Sequence, residues 1–244
     1  MSNSLDQRRG FLRRMIAVVP ASGLATGAAL SQVGCADKEP AATAAAPPTE
    51  KKYAPTYLND AEWVFVSAAV AHIIPADELG PGAVEAGVPE FIDRQLETPY
   101  GHGKLWYMQG PFHPESVPEL GYQLNMTPRD IYRHGIADCD AWCKKSQDGK
   151  TFAELPKAKQ EEVLHLLESG KVALPNVPAK LFFSYLLSNT KEGFLADPIY
   201  GGNKGMAGWK MIGFPGARAD FMDWIEQPGK HYPYGPVSID GQQA

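Results

Sequence analysis

Metal-ligand clusters, phosphate-binding glycine loops, long unbroken apolar runs and basic patches are all missing from this 244-residue sequence, and each absence removes a class of function. Three cysteines, Cys35, Cys139 and Cys143, are too few for a disulfide framework or an iron–sulfur cluster. Cys139-x-x-x-Cys143-Lys144 is also not the Cys-x-x-Cys-His pattern that attaches haem covalently. Gly80-Pro81-Gly82, with Glu85 where a third glycine would stand, follows a predicted helix instead of a strand, so direct flavin or nicotinamide binding has no support. Neither Gly-x-Ser-x-Gly nor His-Glu-x-x-His occurs, which leaves hydrolase chemistry without a nucleophile elbow or a zinc helix. The tightest metal-like group is His134, Asp138, Cys139 and Cys143 on one predicted helix. His134 lies about 140° around that helix from Cys139, so the groups diverge, and His134 with Asp138 reads as an exposed i,i+4 pair. No catalytic, cofactor-binding or metal-ligating residue is therefore assigned in this chain.

Basic charge is concentrated at the N-terminus. Arg8, Arg9, Arg13 and Arg14 stand there with one acid, Asp6, and setting residues 1–36 aside leaves 19 basic against 27 acidic residues, a net charge of −8 in place of −5. A domain of that sign repels phosphate backbones, so nucleic acid is excluded as a partner class. Gln7-Arg8-Arg9-Gly10-Phe11-Leu12-Arg13 resembles the twin-arginine export motif, departing from its usual form at Gln7 and Arg13. The uncharged stretch from Met15 to Gly34 is broken by Pro20, Ser22 and Gly23, too weakly apolar for a stable span but suited to a signal segment. Ser31-Gln32-Val33-Gly34-Cys35 places a small residue directly before a cysteine, as lipoprotein signals do, although Gln32 departs from their preferred leucine. Lipid attachment at Cys35 and ordinary cleavage after Ala36 or within Ala44 to Ala46 both remain open. Residues 37–56 are rich in Ala, Pro and Thr and are expected to form a flexible linker, with a helical domain over 57–244.

Within that domain apolar residues recur at helical spacing and never in a sustained alternation, which predicts an all-α class. Asn59-Asp60 with Glu62 opens a helix that Pro75 stops. Only Glu62, Ser67 and His72 are polar along it, so it is expected to be buried all round, with His72 a hydrogen-bonded core histidine. Pro89 to Glu97 predicts a second helix with Phe91, Ile92 and Leu96 inward, followed by irregular structure from Pro99 to Pro118. Thr127-Pro128-Arg129-Asp130 starts a third helix. Ile131, Tyr132, Gly135, Ile136, Cys139, Trp142 and Cys143 share its inner arc, and Arg133, His134, Asp138, Asp140, Lys144 and Lys145 its outer one. Further helices are expected from Pro156 to Glu168, from Pro178 to about Ser188 and, briefly, from Ala219 to Glu226. Cys139 and Cys143, one turn apart, are candidates for buried free thiols, for a strained disulfide with each other, or for a bridge to another chain.

Between Gly193 and Gly216 the sequence GFLADPIYGGNKGMAGWKMIGFPG predicts a long connection without secondary structure of its own, a feature usually tied to function. Tyr200, Trp209 and Phe214 in it are residue types that anchor interfaces. Its two blocks, Asp197-Pro198-x-Tyr200-Gly201-Gly202-Asn203 and Gly208-Trp209-x-x-Ile212-Gly213-x-Pro215-Gly216, resemble the gluconate 2-dehydrogenase subunit 3 family. Ile73-Ile74-Pro75 with Asp77, Gly87-Val88 with Phe91-Ile92-Asp93, and the twin-arginine start support the likeness, which spans roughly residues 57–217. The resemblance implies a non-catalytic small subunit accompanying a large flavoprotein of the glucose–methanol–choline type and, in some complexes, a multihaem cytochrome c. FAD and haem c then belong to those other subunits, and none is expected in this chain. It further implies a periplasmic, membrane-associated complex that oxidises a sugar or sugar acid, with this subunit supporting export and assembly. The glycine-rich segment itself is expected to supply the partner interface at Tyr200, Gly201, Gly202, Asn203, Trp209, Phe214 and Pro215. Two rival readings are a self-sufficient periplasmic enzyme using His102, His113 and Glu115, and a free-standing binding module.

If Arg8 and Arg9 direct twin-arginine export, Arg8→Lys with Arg9→Lys leaves the protein and any flavoprotein that travels with it in the cytoplasm; periplasmic activity at the normal level would point to another route. Intact mass of membrane-extracted protein separates the two fates of Cys35. A diacylglyceryl cysteine at the new N-terminus supports the tether, and a chain beginning at or beyond Asp37 excludes it.

Overall fold

A computed structural model describes residues 53–243; the signal residues Arg8, Arg9, Phe11 and Leu12, Cys35 and most of the linker lie outside the described residues. Six α-helices and no β-strand occur among the described residues. They are α1 (Asp60–Ile73), α2 (Val88–Leu96), α3 (Pro128–Ser146), α4 (Lys157–Ser169), α5 (Ala179–Leu195) and α6 (Ala207–Ile212). The all-α class read from the sequence is the one observed.

Local chemistry sets the helix starts. Asn59 accepts from the Glu62 N–H at 3.0 Å while the Glu62 carboxylate accepts from the Asn59 N–H at 3.0 Å, and Thr127 forms the same reciprocal box with Asp130. Gly170, in the left-handed region at φ 71°, ends α4. α5 runs on to Leu195, well past the stop expected near Ser188. Asn189 and Thr190 look like terminators in sequence, but both are buried: Thr190 Oγ1 donates to the Leu186 carbonyl at 2.5 Å and Asn189 Oδ1 accepts from the Tyr100 hydroxyl at 3.1 Å. The helix expected over Ala219 to Glu226 is reduced to a 3-10 turn at Met222–Trp224.

α1 and α5 form the middle of the bundle, α1 meeting α2, α3, α4 and α5. Phe65 of α1 packs on Phe152 at 4.6 Å and on Phe182 of α5 at 5.9 Å between ring centres, and Tyr132 of α3 meets Phe182 edge-on. Gly135 is what admits that ring, because a Cβ there would overlap the Phe182 side chain. α1 is nevertheless not buried all round: Val64 is 53% exposed and Ala71 faces solvent, so the helix is central but one side stays open. His72 is half-buried and hydrogen-bonds Gln160 at 2.8 Å. The expected inner arc of α3 is buried except for half-buried Trp142. Asp138, assigned to the outer arc as the partner of His134, is buried instead, taking the Asn176 N–H and side-chain amide at 2.8 Å each. On the helical wheel it lies only about 20° from Ile131, at the border of the apolar face, where a short acid can turn inward once a donor is supplied. Of the large residues of α5, Phe182 and Leu186 are fully buried, while Leu181, Phe183, Tyr185 and Leu187 are half-buried.

The folded part reaches back to Tyr53, earlier than the expected start at Tyr57, and the fastening is one carboxylate. Asp93 of α2 accepts from the Tyr53 and Thr56 hydroxyls and from the backbone N–H groups of Thr56, Tyr57 and Leu58 at 2.7–3.1 Å. The Tyr57 ring is held between the guanidinium groups of Arg129 and Arg133, 4.2 and 4.4 Å from its centre. Burial by itself would raise the Asp93 pKa, but the donors from Leu58, Thr56, Tyr53 and Tyr57 outweigh it and hold the group below its ordinary value. Because the folded pKa is depressed, this stabilisation is complete above the unfolded carboxylate pKa of about 4 and is lost as pH falls below it. Asp93→Asn replaces an acceptor of five hydrogen bonds with a group that must itself donate, and should cost about 3 kcal/mol. Thermal melts from pH 7 to pH 3 check this: the wild type should lose its advantage over the variant as the solution is acidified.

Candidate functional site

Residues 193–216 are not an irregular loop. The C-terminal turn of α5, two 3-10 turns at Pro198–Tyr200 and Lys204–Met206, and α6 account for most of the segment. Glycine makes this possible in two ways. Gly201, Asn203, Gly205 and Met206 all take left-handed backbone angles, so the chain reverses repeatedly within a few residues. Gly202 and Gly208 lie so close to α5 that a Cβ would strike the carbonyl oxygens of Gly193 and Phe194.

Buried polar groups then fix the path. Asn203, fully buried, donates through Nδ2 to the Ala196 carbonyl at 2.9 Å and accepts through Oδ1 from the Gly208 N–H at 2.8 Å. Asp197 Oδ1 accepts from the Ile199 N–H, and its Oδ2 accepts from the Ile239 N–H at 2.7 Å, which ties the C-terminal residues to the same turn. Trp209 is only 5% exposed, and its indole N–H donates to the Leu195 carbonyl at 2.6 Å. Glu90 of α2 completes the clamp: one oxygen meets Arg94 at 2.5 Å and the other Lys204 at 2.7 Å. With its side chain largely buried, Glu90 makes a charge-assisted tie between α2 and the 3-10 turn at Lys204.

The residues expected to form an interface therefore divide. Gly201, Gly202, Asn203 and Trp209 are buried and serve the fold, and Pro215 is half-buried. Tyr200 is 50% and Phe214 45% exposed, and Phe214 stands edge-on to Trp209 at 5.2 Å between ring centres. Leu195, Ile199, Met211 and Ile212, which the motif reading did not single out, are exposed along the same segment. Their signal was available only as large apolar residues interleaved with the motif; which of them faced outward depended on the turns.

The rival groups do not form a site. His113 pairs with Glu115 on an exposed loop at 3.1 Å, whereas His102 is bonded to Arg129 at 2.8 Å. Ser188 and Lys191 have the Ser-x-x-Lys spacing of a serine nucleophile and its base, but both side chains are exposed and no hydrogen bond joins them. Cys139 and Cys143 are free, buried thiols. The neighbouring Cys143 thiol and burial push the Cys139 pKa up, so Cys139 is held as the protonated thiol. No cluster of three or more His, Cys, Asp or Glu residues able to hold a metal occurs among the described residues.

A family model described as gluconate 2-dehydrogenase subunit 3 matches residues 60–216, which runs from the first residue of α1 to the end of the glycine-rich segment. No curated protein and no solved structure matches the chain. With the match covering more than half of the sequence, including the whole clamp built around Asn203, the chain belongs to the gluconate 2-dehydrogenase subunit 3 family.

Proposed function

We propose that this chain is a non-catalytic subunit that docks a large flavoprotein of the glucose–methanol–choline type through the outward residues of the 193–216 segment, and supports its export and assembly. One observation carries the reading. Leu195, Ile199, Tyr200, Met211, Ile212 and Phe214 are exposed on a segment whose backbone is immobilised from beneath by Asn203, Trp209 and the close glycine contacts. Large apolar side chains held rigidly in water have little to stabilise them except a partner, and a pre-ordered surface loses little entropy on binding. Membership of a family named as a subunit of gluconate 2-dehydrogenase supplies the kind of partner.

In this reading the flavin and any haem c are carried by the other subunits, and the sugar or sugar acid is oxidised in the flavoprotein. The twin-arginine motif at Arg8 and Arg9 would take the assembled pair to the periplasm, where the complex, or a lipid at Cys35, holds it at the membrane. No helix among the described residues is long and apolar enough to cross a membrane.

The exposed and buried aromatics separate docking from folding. Tyr200→Ala with Phe214→Ala should leave the melting temperature of the subunit within a few degrees of the wild type. Anchors of this kind cost about 2 kcal/mol each on truncation, so the pair should release the co-purifying flavoprotein. Trp209→Ala should instead cost about 3–5 kcal/mol of stability, through the lost ring and an unpaired Leu195 carbonyl. Undiminished flavoprotein recovery with the Tyr200/Phe214 double variant would place the interface elsewhere.

A further inference from the structure

Beside Tyr200 lies an open cleft of about 490 Å³ lined by Phe91, Gln95, Glu192, Leu195, Asp197 and Tyr200. Its polar groups are unequally engaged. Asp197 spends both carboxylate oxygens on the N–H groups of Ile199 and Ile239. Gln95 gives its backbone carbonyl to the Thr98 hydroxyl, while its side-chain amide and the Glu192 carboxyl make no hydrogen bond or ion pair among the described residues. The neighbouring cations are taken: Arg94 and Lys204 both bind Glu90. Glu192 is exposed, but the cleft walls cover enough of it to raise its carboxyl pKa, and no cation among the described residues opposes that rise. An exposed acid at the mouth of a partly apolar cleft, with no counter-charge beside it, is available to pair with a cation from outside.

The rest of the lining narrows the class of that cation. Phe91 and Leu195 are apolar, and the ring of Tyr200 is half-open to solvent. A single free carboxylate and one amide oxygen are too few ligands for calcium or magnesium, and the negative charge of Asp197 and Glu192 rejects anions. A guanidinium suits the set, since it is planar, stacks on an aromatic face and presents several donors in a fixed fork, whereas an ammonium is compact and strongly hydrated. Resting on the docking reading above, we infer that the cleft receives one arginine side chain of the partner subunit, paired with Glu192 and the Gln95 amide oxygen and stacked on Tyr200. In an interface of otherwise apolar anchors, this contact sets register and orientation.

The test uses the full chain co-expressed with a large flavoprotein of the glucose–methanol–choline type from the same source. Glu192→Gln preserves shape and removes the charge, and it should weaken the dissociation constant tenfold or more and flatten its dependence on salt. Glu192→Lys should abolish co-purification, with thermal melting of the free subunit unchanged in both variants. Wild-type affinity and salt dependence in both would overturn the arginine assignment, and release by the Tyr200/Phe214 double variant in the same series would show that docking itself stands. A wild-type subunit that brings no flavoprotein with it would remove docking and the cleft assignment together.

Discussion

The contact on which the candidate site depends is the approach of one stretch of backbone to another without side chains between them. Gly202 and Gly208 press against the carbonyl oxygens of Gly193 and Phe194 at the end of α5, and Gly193 in turn leaves room for the ring of Phe91 on α2. Any Cβ at these points would push the 193–216 segment off the helices. The separation would break the bonds of Asn203 to Ala196 and Gly208 and the indole bond of Trp209 to Leu195. Everything displayed to solvent, from Tyr200 to Phe214, takes its position from this contact.

Buried carboxylates do comparable work in three places. Asp93 gathers the chain entering α1, Asp197 holds the turn after α5 together with residue 239, and Glu90 binds Arg94 and Lys204. In an acidic protein these groups would repel one another if left as bare charges. Each is instead surrounded by backbone N–H donors or cations of the same chain, which converts a desolvation penalty into a directional tie. Glu192, by contrast, is exposed and has no such partner among the described residues, and it lies on the open cleft beside Tyr200.

An enzyme reading draws no support from the placement of its own candidates. His102 is engaged by Arg129, and His113 meets Glu115 on an exposed loop, so the three residues do not converge on a reacting centre. The cysteine pair is a buried feature of the α3 face that packs inward, close in character to a small apolar contact. What the structure does present is shape: a partly apolar surface whose backbone is fixed from beneath by buried hydrogen bonds, the property expected of a subunit whose work is association.

The sequence by itself determined the elements whose chemistry is local. The reciprocal caps at Asn59–Glu62 and Thr127–Asp130, the glycine stop at Gly170 and the inner arc of α3 each depend on residues within a few positions of one another, so spacing alone revealed them. The two glycine-rich blocks also identified the family. Only the tertiary structure decided matters that depend on a distant partner. Asp138 turned inward because Asn176 offers it donors, α5 continued through Asn189 and Thr190 because the Tyr100 hydroxyl donates to the Asn189 side-chain oxygen and Thr190 donates to the Leu186 carbonyl, and α1 kept one side open at Val64. The same holds within the motif. Trp209 and Tyr200 are equivalent as aromatic anchors in a sequence, and it was the reversal of the chain at Gly201, Asn203, Gly205 and Met206 that sent one into the protein and left the other at its surface.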